Sequence, residues 1–358
     1  MPVSLPGTNP LLVYGAYGYT GKLVVAEAVA TGLRPVLAGR NAGALAAVAA
    51  PHGLAHRAAS LDDQRALDAA LEGVRVVLHC AGPFVRTSRL MVDACLRRGV
   101  HYLDITGELA VFEATAARNG EALAGGVTLL PGVGFDVVPS DCLAAHLARR
   151  LPGATHLALA FRGLGGVSRG TATTMAHNAG SGGTVRRDGR LVTVPAAWRT
   201  RRIDFGEGEL SLAATIPWGD VSTAWHSTGI PNVEVYMAMT PAMRRSLLLS
   251  RGLGWLLASD PVRRWLVRRA QARKPGPSDA SRARGESRFW GEVRDAEGHT
   301  AVSRVVGPEG YTLTARTAIA AARRVLGGGV PAGFQTPSRA FGADFILEQA
   351  GVRREDVA

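Results

Sequence analysis

Gly15, Gly18 and Gly21 recur at three-residue intervals in "LVYGAYGYTGKL" (Leu12 to Leu23), directly after an apolar run and directly before a helix-like stretch. A strand that turns through glycines into a helix opens a βαβ unit, which commits this part of the chain to a parallel sheet with helices on its faces. Glycines there permit a tight turn and let the backbone approach a phosphate on the helix N-terminus. Two phosphate loops share that outline. The NTP loop, G-x-x-x-x-G-K-[ST], could take its G-K from Gly21 and Lys22, but Ala16 stands where its first glycine belongs and Leu23 where its hydroxyl belongs. The dinucleotide turn is met, as G-x-x-G-x-x-G, with Tyr17, Tyr19 and Thr20 between the glycines as further cofactor-facing positions.

The next segments extend the pattern. "RPVLAG" reads as a second strand, "GLAHRAA" as a weak third, "VRVVLHCAG" as a fourth, "VHYLDI" as a fifth and "GVTLLPGVG" as a sixth. Helical stretches separate them: Asn41 to Ala50, "LDDQRALDAAL", Ser88 to Arg98 and Phe112 to Leu123. Continuous apolar strands between helices are the mark of a buried, Rossmann-type doubly wound parallel sheet. The tip of the second strand reads "LAGRN". A cofactor without a 2′-phosphate calls for an acid there, and this chain has Arg40 and Asn41 instead. A guanidinium at that point can pair with a 2′-phosphate, so the expected cofactor is NADP(H). The fourth strand runs out through Cys80, Ala81, Gly82, Pro83 and Phe84, small and strand-breaking residues expected beside the nicotinamide ribose.

Beyond "PSDCLAAHLARRLPG" the pattern changes. "HLALAF", "LSLAATIPW", "NVEVYMAMT", "SRFWGEVRD" and "HTAVSRVVG" alternate apolar and polar residues, as antiparallel strands with one covered face do. Helix-like stretches fall at Gly170 to Ala179 and Ala242 to Gln271, and "RKPGPSDASRARGE" reads as a linker. "YTLTARTAIAAARRVL" and "SRAFGADFILEQAG" read as helices near the end.

The formal charge of +12 raises nucleic acid as a partner. Its distribution argues otherwise: Arg244 to Arg294 holds 13 Arg or Lys against 4 Asp or Glu, and no nucleic-acid motif accompanies it. No apolar run reaches the ~18–20 residues of a membrane span, and "MPVSLPGTNP" lacks the basic and apolar regions of a secretory leader. Cys80, Cys95 and Cys142 make neither a disulfide framework nor a metal-ligand pattern, so the expectation is a reducing cytoplasm and no metal.

Taken in order, "YGAYGYTGK", "LAGRN", "VLHCAGPF", "ACLRRGVHYLDITGE" and "PGVGFDVVPSD" resemble the motifs of the saccharopine dehydrogenase-like oxidoreductases. "GPSDASRARGESRFWGEV" and "GYTLTARTAIAAA" resemble the branch that contains the trans-acting enoyl reductases. The resemblance implies a Rossmann domain over residues 1–150, completed by C-terminal helices within 308–358, with an α+β substrate domain inserted at 151–307. It also implies hydride transfer from a nicotinamide cofactor to a C=C or C=N bond, or saccharopine-type C–N dehydrogenation.

Hydride delivery generally needs a proton source. Glu108, after the fifth strand, and His177, in "RGTATTMAHN", are the candidates; Asp104 and Thr106 suit turn capping better. Phe135 is expected to line the nicotinamide pocket, Ser140 and Asp141 read as structural, and Trp218, Asp220 and His226 rank below His177. The basic, apolar stretch Met243 to Lys274 suits packing, a lid over a greasy substrate, a carrier-protein docking face or peripheral contact with a membrane. The expected substrate is therefore a hydrophobic small molecule or carrier-bound intermediate, with a non-catalytic membrane-associated protein as the alternative class. The oligomeric state has no signal in the sequence.

Overall fold

The computed structural model describes residues 11–163, 168–177, 180, 182–252, 254–257 and 259–357. They form two compact units: residues up to Asp136 with Tyr311–Ala340, and Val137–Gly310 with Phe341 onward.

The first unit is built on β1 (Leu11–Tyr14), β2 (Val36–Gly39), β3 (His56–Ala58), β4 (Val76–His79), β5 (His101–Asp104) and β6 (Thr128–Leu130), with a late strand Gly333–Phe334. The sheet order is Gly333–Phe334, β6, β5, β4, β1, β2, β3. Every pairing in it is parallel. Chain order reverses between β1 and β4, the switch point at which doubly wound sheets open a crevice. β1, β2 and β4 are buried along their full length, which is why they read as unbroken apolar runs. Each Leu or Val buried there contributes about 1.5–3 kcal/mol.

Two helices depart from expectation. The helix expected from Ser88 starts at Phe84. The one expected over Phe112 to Leu123 is two, Leu109–Ala116 and Asn119–Ala124.

In the second unit the sheet is mixed rather than antiparallel throughout. Its order is Thr200–Asp204, Leu210–Thr215, Asn232–Ala238, His156–Gly163, Glu286–Arg294, Thr300–Pro308, Arg353–Asp356. The central pair, Asn232–Ala238 with His156–Gly163, is parallel. A hairpin, Gly183–Arg187 with Arg190–Val194, joins beside it. The segment read as a linker holds the short helix Asp279–Arg284, capped by Ser278.

The unit boundary falls after Asp136, not after residue 150. Helix Val138–Arg150 lies against the second sheet so closely that a Cβ on Gly291 would stand 2.6 Å from Leu147 and 3.2 Å from Leu143. Ser140 Oγ bonds both carboxylate oxygens of Asp220 at 2.9 Å, tying that helix to Asp220–Thr228. At the C-terminus, residues 341–357 belong to the second unit, because Arg353–Asp356 pairs with Thr300–Pro308. The expected final helix is only Pro337–Phe341 and the 3-10 turn Phe345–Glu348, interrupted at Gly342, where φ is +88°.

Between Pro241 and Gln271 lie three helices, Pro241–Ser250, Gly254–Leu257 and Asp260–Gln271. The last packs on Arg169–His177. Leu253, and the side chains of Trp255 and Leu257, lie outside the described residues, as does Asn178. Among the described residues no helix is long and apolar enough to cross a membrane.

Candidate cofactor and active site

The site takes shape in the first unit, at the carboxyl ends of its strands. Gly15 follows β1 with φ +83°, and its N–H donates to Ala38 O at 2.8 Å. Gly18 N–H donates to Gly15 O at 2.9 Å, closing the turn, and helix Tyr19–Ala30 starts at the next residue. A Cβ on Gly21 would stand 2.2 Å from Gly15 O, so helix and turn meet backbone to backbone. A Cβ on Gly15 would meet Ala81 at 2.9 Å, which brings the end of β4 against the turn. The Gly18 end of the helix leaves N–H groups without helical partners, and a pyrophosphate satisfies such groups.

Tyr17 lies over Gly39, at the end of β2, and Tyr19 stacks edge-on against Tyr311 with ring centroids 5.1 Å apart. Thr20 is half-buried in the first helical turn. Tyr17, Arg40, Asn41, Ala42 and Gly43 line an open depression. Asn41 Oδ1 accepts from Ala44 N at 2.9 Å, so part of its polar capacity caps the next helix. The exposed Arg40 guanidinium makes no hydrogen bond or ion pair with any described residue. A glycine cradle at one end and an uncommitted guanidinium at the other fit a dinucleotide bearing a 2′-phosphate.

β4 ends at His79 rather than at Gly82. Cys80, Ala81 and Pro83 are half-buried, Gly82 is exposed, and the Gly82–Pro83 peptide is cis. Phe84 is buried and opens helix Phe84–Arg98. That helix begins early because Glu108 reaches its first turn: Oε1 accepts from Phe84 N at 2.8 Å and Oε2 from Val85 N at 3.2 Å. Glu108, expected as a proton source, is thus committed to a helix N-terminus, where a carboxylate is favoured. Burial raises its pKa, and the two N–H donors work against that rise.

Asp104 holds the floor. Fully buried, it accepts from Tyr102 Oη at 2.6 Å, Thr106 N at 2.9 Å and Gly132 N at 2.9 Å, joining the ends of β5 and β6. Burial lifts it to about 6 against those donors. Thr106 in turn caps Glu108 N at 3.0 Å, the turn-capping role expected of both. Phe135 is half-buried after β6, its N–H donating to Thr314 Oγ1 at 3.0 Å.

Two groups were missed from the sequence. Asp136 packs on Gly107, where a Cβ would stand 2.7 Å from its carboxylate, and burial together with the Glu108 charge raises it to about 7. His79 is fully buried between the rings of Tyr14 and Phe84, with centroids at 5.5 and 5.4 Å. His177 belongs to the second unit, half-buried at the last residue of its helix. Asp220 is fully buried and bonded to Ser140.

Residues 11–130 match the family described as Saccharopine dehydrogenase NADP binding domain. That segment of the first unit is similar to an NADP binding domain of that kind, and its cofactor is NADP(H). The chain is similar to a trans-acting enoyl reductase of Mycobacterium leprae, 35% identical over 150 residues, which are 39% of this chain and 36% of that protein. A trans-acting enoyl reductase of Mycobacterium tuberculosis is 33% identical over 150 residues, 39% of this chain and 35% of that protein. A saccharopine dehydrogenase-like oxidoreductase of Arabidopsis thaliana is 30% identical over 148 residues, 37% of this chain and 33% of that protein. The matches thus span about a third of the length of these relatives. In structure the chain is similar to the apo saccharopine dehydrogenase (L-Glu forming) of Saccharomyces cerevisiae, with a TM-score of 0.64 at 13% identity, over 98% of this chain and 100% of that one. The likeness extends the shared fold beyond the NADP binding domain.

Proposed function

We propose that the protein is an NADP(H)-dependent reductase that delivers hydride to an activated C=C or C=N bond of a hydrophobic or carrier-bound intermediate. The observation that carries the cofactor half is Arg40: an exposed guanidinium without a partner among the described residues, at the strand tip where a 2′-OH-reading acid would otherwise stand. The relatives named enoyl reductases support the reaction class.

In this reading Gly15, Gly18 and Gly21, with Tyr17, Tyr19 and Thr20, hold the pyrophosphate side, and Arg40 with Asn41 holds the adenosine phosphate. Cys80, Ala81, Gly82, Pro83, Phe84 and Phe135 border the nicotinamide side. The reduced nicotinamide, when bound, supplies the hydride. Asp136 supplies the proton, because a carboxyl raised to about 7 is protonated over the acidic half of the working range and can donate. Glu108 then serves as a fixed negative neighbour that helps to keep that proton on Asp136.

The cofactor half is tested by titrating NADPH and NADH into the protein and into Arg40→Ala. A charge-assisted pair to phosphate is worth about 1.5–3 kcal/mol, so NADPH should bind about ten to a hundred times more tightly than NADH, and the substitution should erase that margin. Equal affinities in the unsubstituted protein would remove Arg40 from the account.

A further inference from the structure

The segment from Pro241 to Lys274, in the second unit, has a surface unlike the rest of the chain. It carries nine Arg or Lys against a single acid, Asp260. Of the ten large hydrophobic side chains exposed among the described residues, four lie in it: Met243 (46%), Leu249 (72%), Leu256 (39%) and Trp265 (55%). A fifth, Met175, stands on the helix packed against Asp260–Gln271. No residue of helix Pro241–Ser250 is buried.

Helix Asp260–Gln271 is two-faced. Val262, Leu266, Val267 and Ala270 turn inward, while Arg264, Trp265 and Arg268 are exposed. The guanidinium of Arg269 lies 5.5 Å from the Trp265 ring centroid, so cation and apolar surface occupy one place. The guanidinium groups of Arg245, Arg264 and Arg268 make no hydrogen bond or ion pair with described residues. Solvent alone is a poor partner for protruding Leu, Met and Trp, whereas an occupant both anionic and apolar satisfies the whole surface.

We propose that this face docks on an anionic lipid bilayer. A protein partner needs acids at fixed positions and a complementary apolar core. A bilayer needs less: net positive charge near its headgroups, and apolar side chains free to enter the acyl boundary. The exposed residues are of that second kind: Met175, Met243, Leu249, Leu256 and Trp265 are spread over four helices, interspersed with Arg245, Arg264 and Arg268, whose guanidinium groups have no partner among the described residues. The proposal goes beyond the reductase reading and does not depend on turnover.

The test is co-sedimentation of the whole protein with phosphatidylcholine vesicles, with and without phosphatidylglycerol, at low and high salt. Leu249→Ser with Trp265→Ser, and Arg264→Gln with Arg268→Gln, are compared, with NADPH affinity and far-ultraviolet circular dichroism as controls for folding. Binding should require phosphatidylglycerol, weaken with salt, and fall about tenfold or more in each double variant. Failure to bind phosphatidylglycerol vesicles at low salt overturns the proposal. So does binding that survives both pairs of substitutions in folded protein. Failure on vesicles together with binding of an acidic acyl carrier protein would instead make the face a protein-docking surface.

Discussion

His79 Nε2 lies 3.0 Å from the hydroxyl of Thr87, and that hydroxyl lies 2.7 Å from the carbonyl of Ala81. A carbonyl can only accept, so Thr87 donates to Ala81 and receives from His79. The imidazole is therefore the Nε2–H tautomer, and its buried Nδ1 has no partner among the described residues. Burial lowers its pKa from 6.5 to about 3. The unfolded chain takes up this proton near pH 6.5 and the folded chain does not until about pH 3, so the stability at stake is whole above 6.5 and is lost as pH falls towards 3. Between about pH 7 and about pH 5 this group should withdraw about 2 kcal/mol. Asp104, raised to about 6, shifts stability the opposite way in an overlapping window. The measurement is therefore a difference: urea unfolding of the protein and of His79→Gln, which keeps a donor for Thr87 and does not titrate. The variant's stability should depend less on pH by that amount, and parallel curves would contradict the assignment.

Glu108 should act on the helix it caps. Glu108→Ala leaves Phe84 N–H and Val85 N–H without their acceptor and should destabilise the first unit by about 1–2 kcal/mol. Glu108→Gln keeps one carbonyl acceptor and should lose less. Denaturant midpoints check both, and activity that collapses in Glu108→Gln at unchanged stability would restore Glu108 as a proton donor.

Asp136 predicts a pH profile. Its carboxyl, raised to about 7, is protonated below that value, so kcat should fall as pH rises through about 7. Asp136→Asn should lower kcat by about a hundredfold, within the range for general acids, and flatten that limb. NADPH affinity should stay within a fewfold of the original, and an unchanged alkaline limb in the variant would assign the proton elsewhere.

Gly21→Ala puts a methyl 2.2 Å from Gly15 O, into backbone that cannot swing aside. The turn must open, and NADPH affinity should fall by about tenfold or more while the sheet stays folded, at a stability cost of about 1–3 kcal/mol. Calorimetric titration with thermal unfolding separates the two effects.

The parallel sheet of the first unit was legible because its signals are local. β1 with its glycines, and Arg40 one strand later, lie within 30 residues, and buried parallel strands advertise themselves as apolar runs. The helix start at Phe84 was not legible, since its cap comes from 24 residues downstream. Nor was the parallel pairing of His156–Gly163 with Asn232–Ala238, because alternation reports a covered face and says nothing of strand direction. Helix Val138–Arg150 carried no mark of which sheet it would cover; Gly291, far along the chain, decides that. His79 looked like one more apolar-strand residue until Thr87 and Ala81 closed around it.

Hydride transfer to a hydrophobic acceptor is read out by substrate-dependent oxidation of NADPH. The protein is mixed with NADPH and a long-chain α,β-unsaturated acyl thioester, or a hydrophobic imine, and consumption of reduced nicotinamide is followed together with the product. NADPH should be lost stoichiometrically with formation of a reduced product from one of these acceptors, and kcat/KM should be at least about tenfold lower with NADH. NADPH that binds but is not consumed with either acceptor class would contradict hydride transfer of this kind.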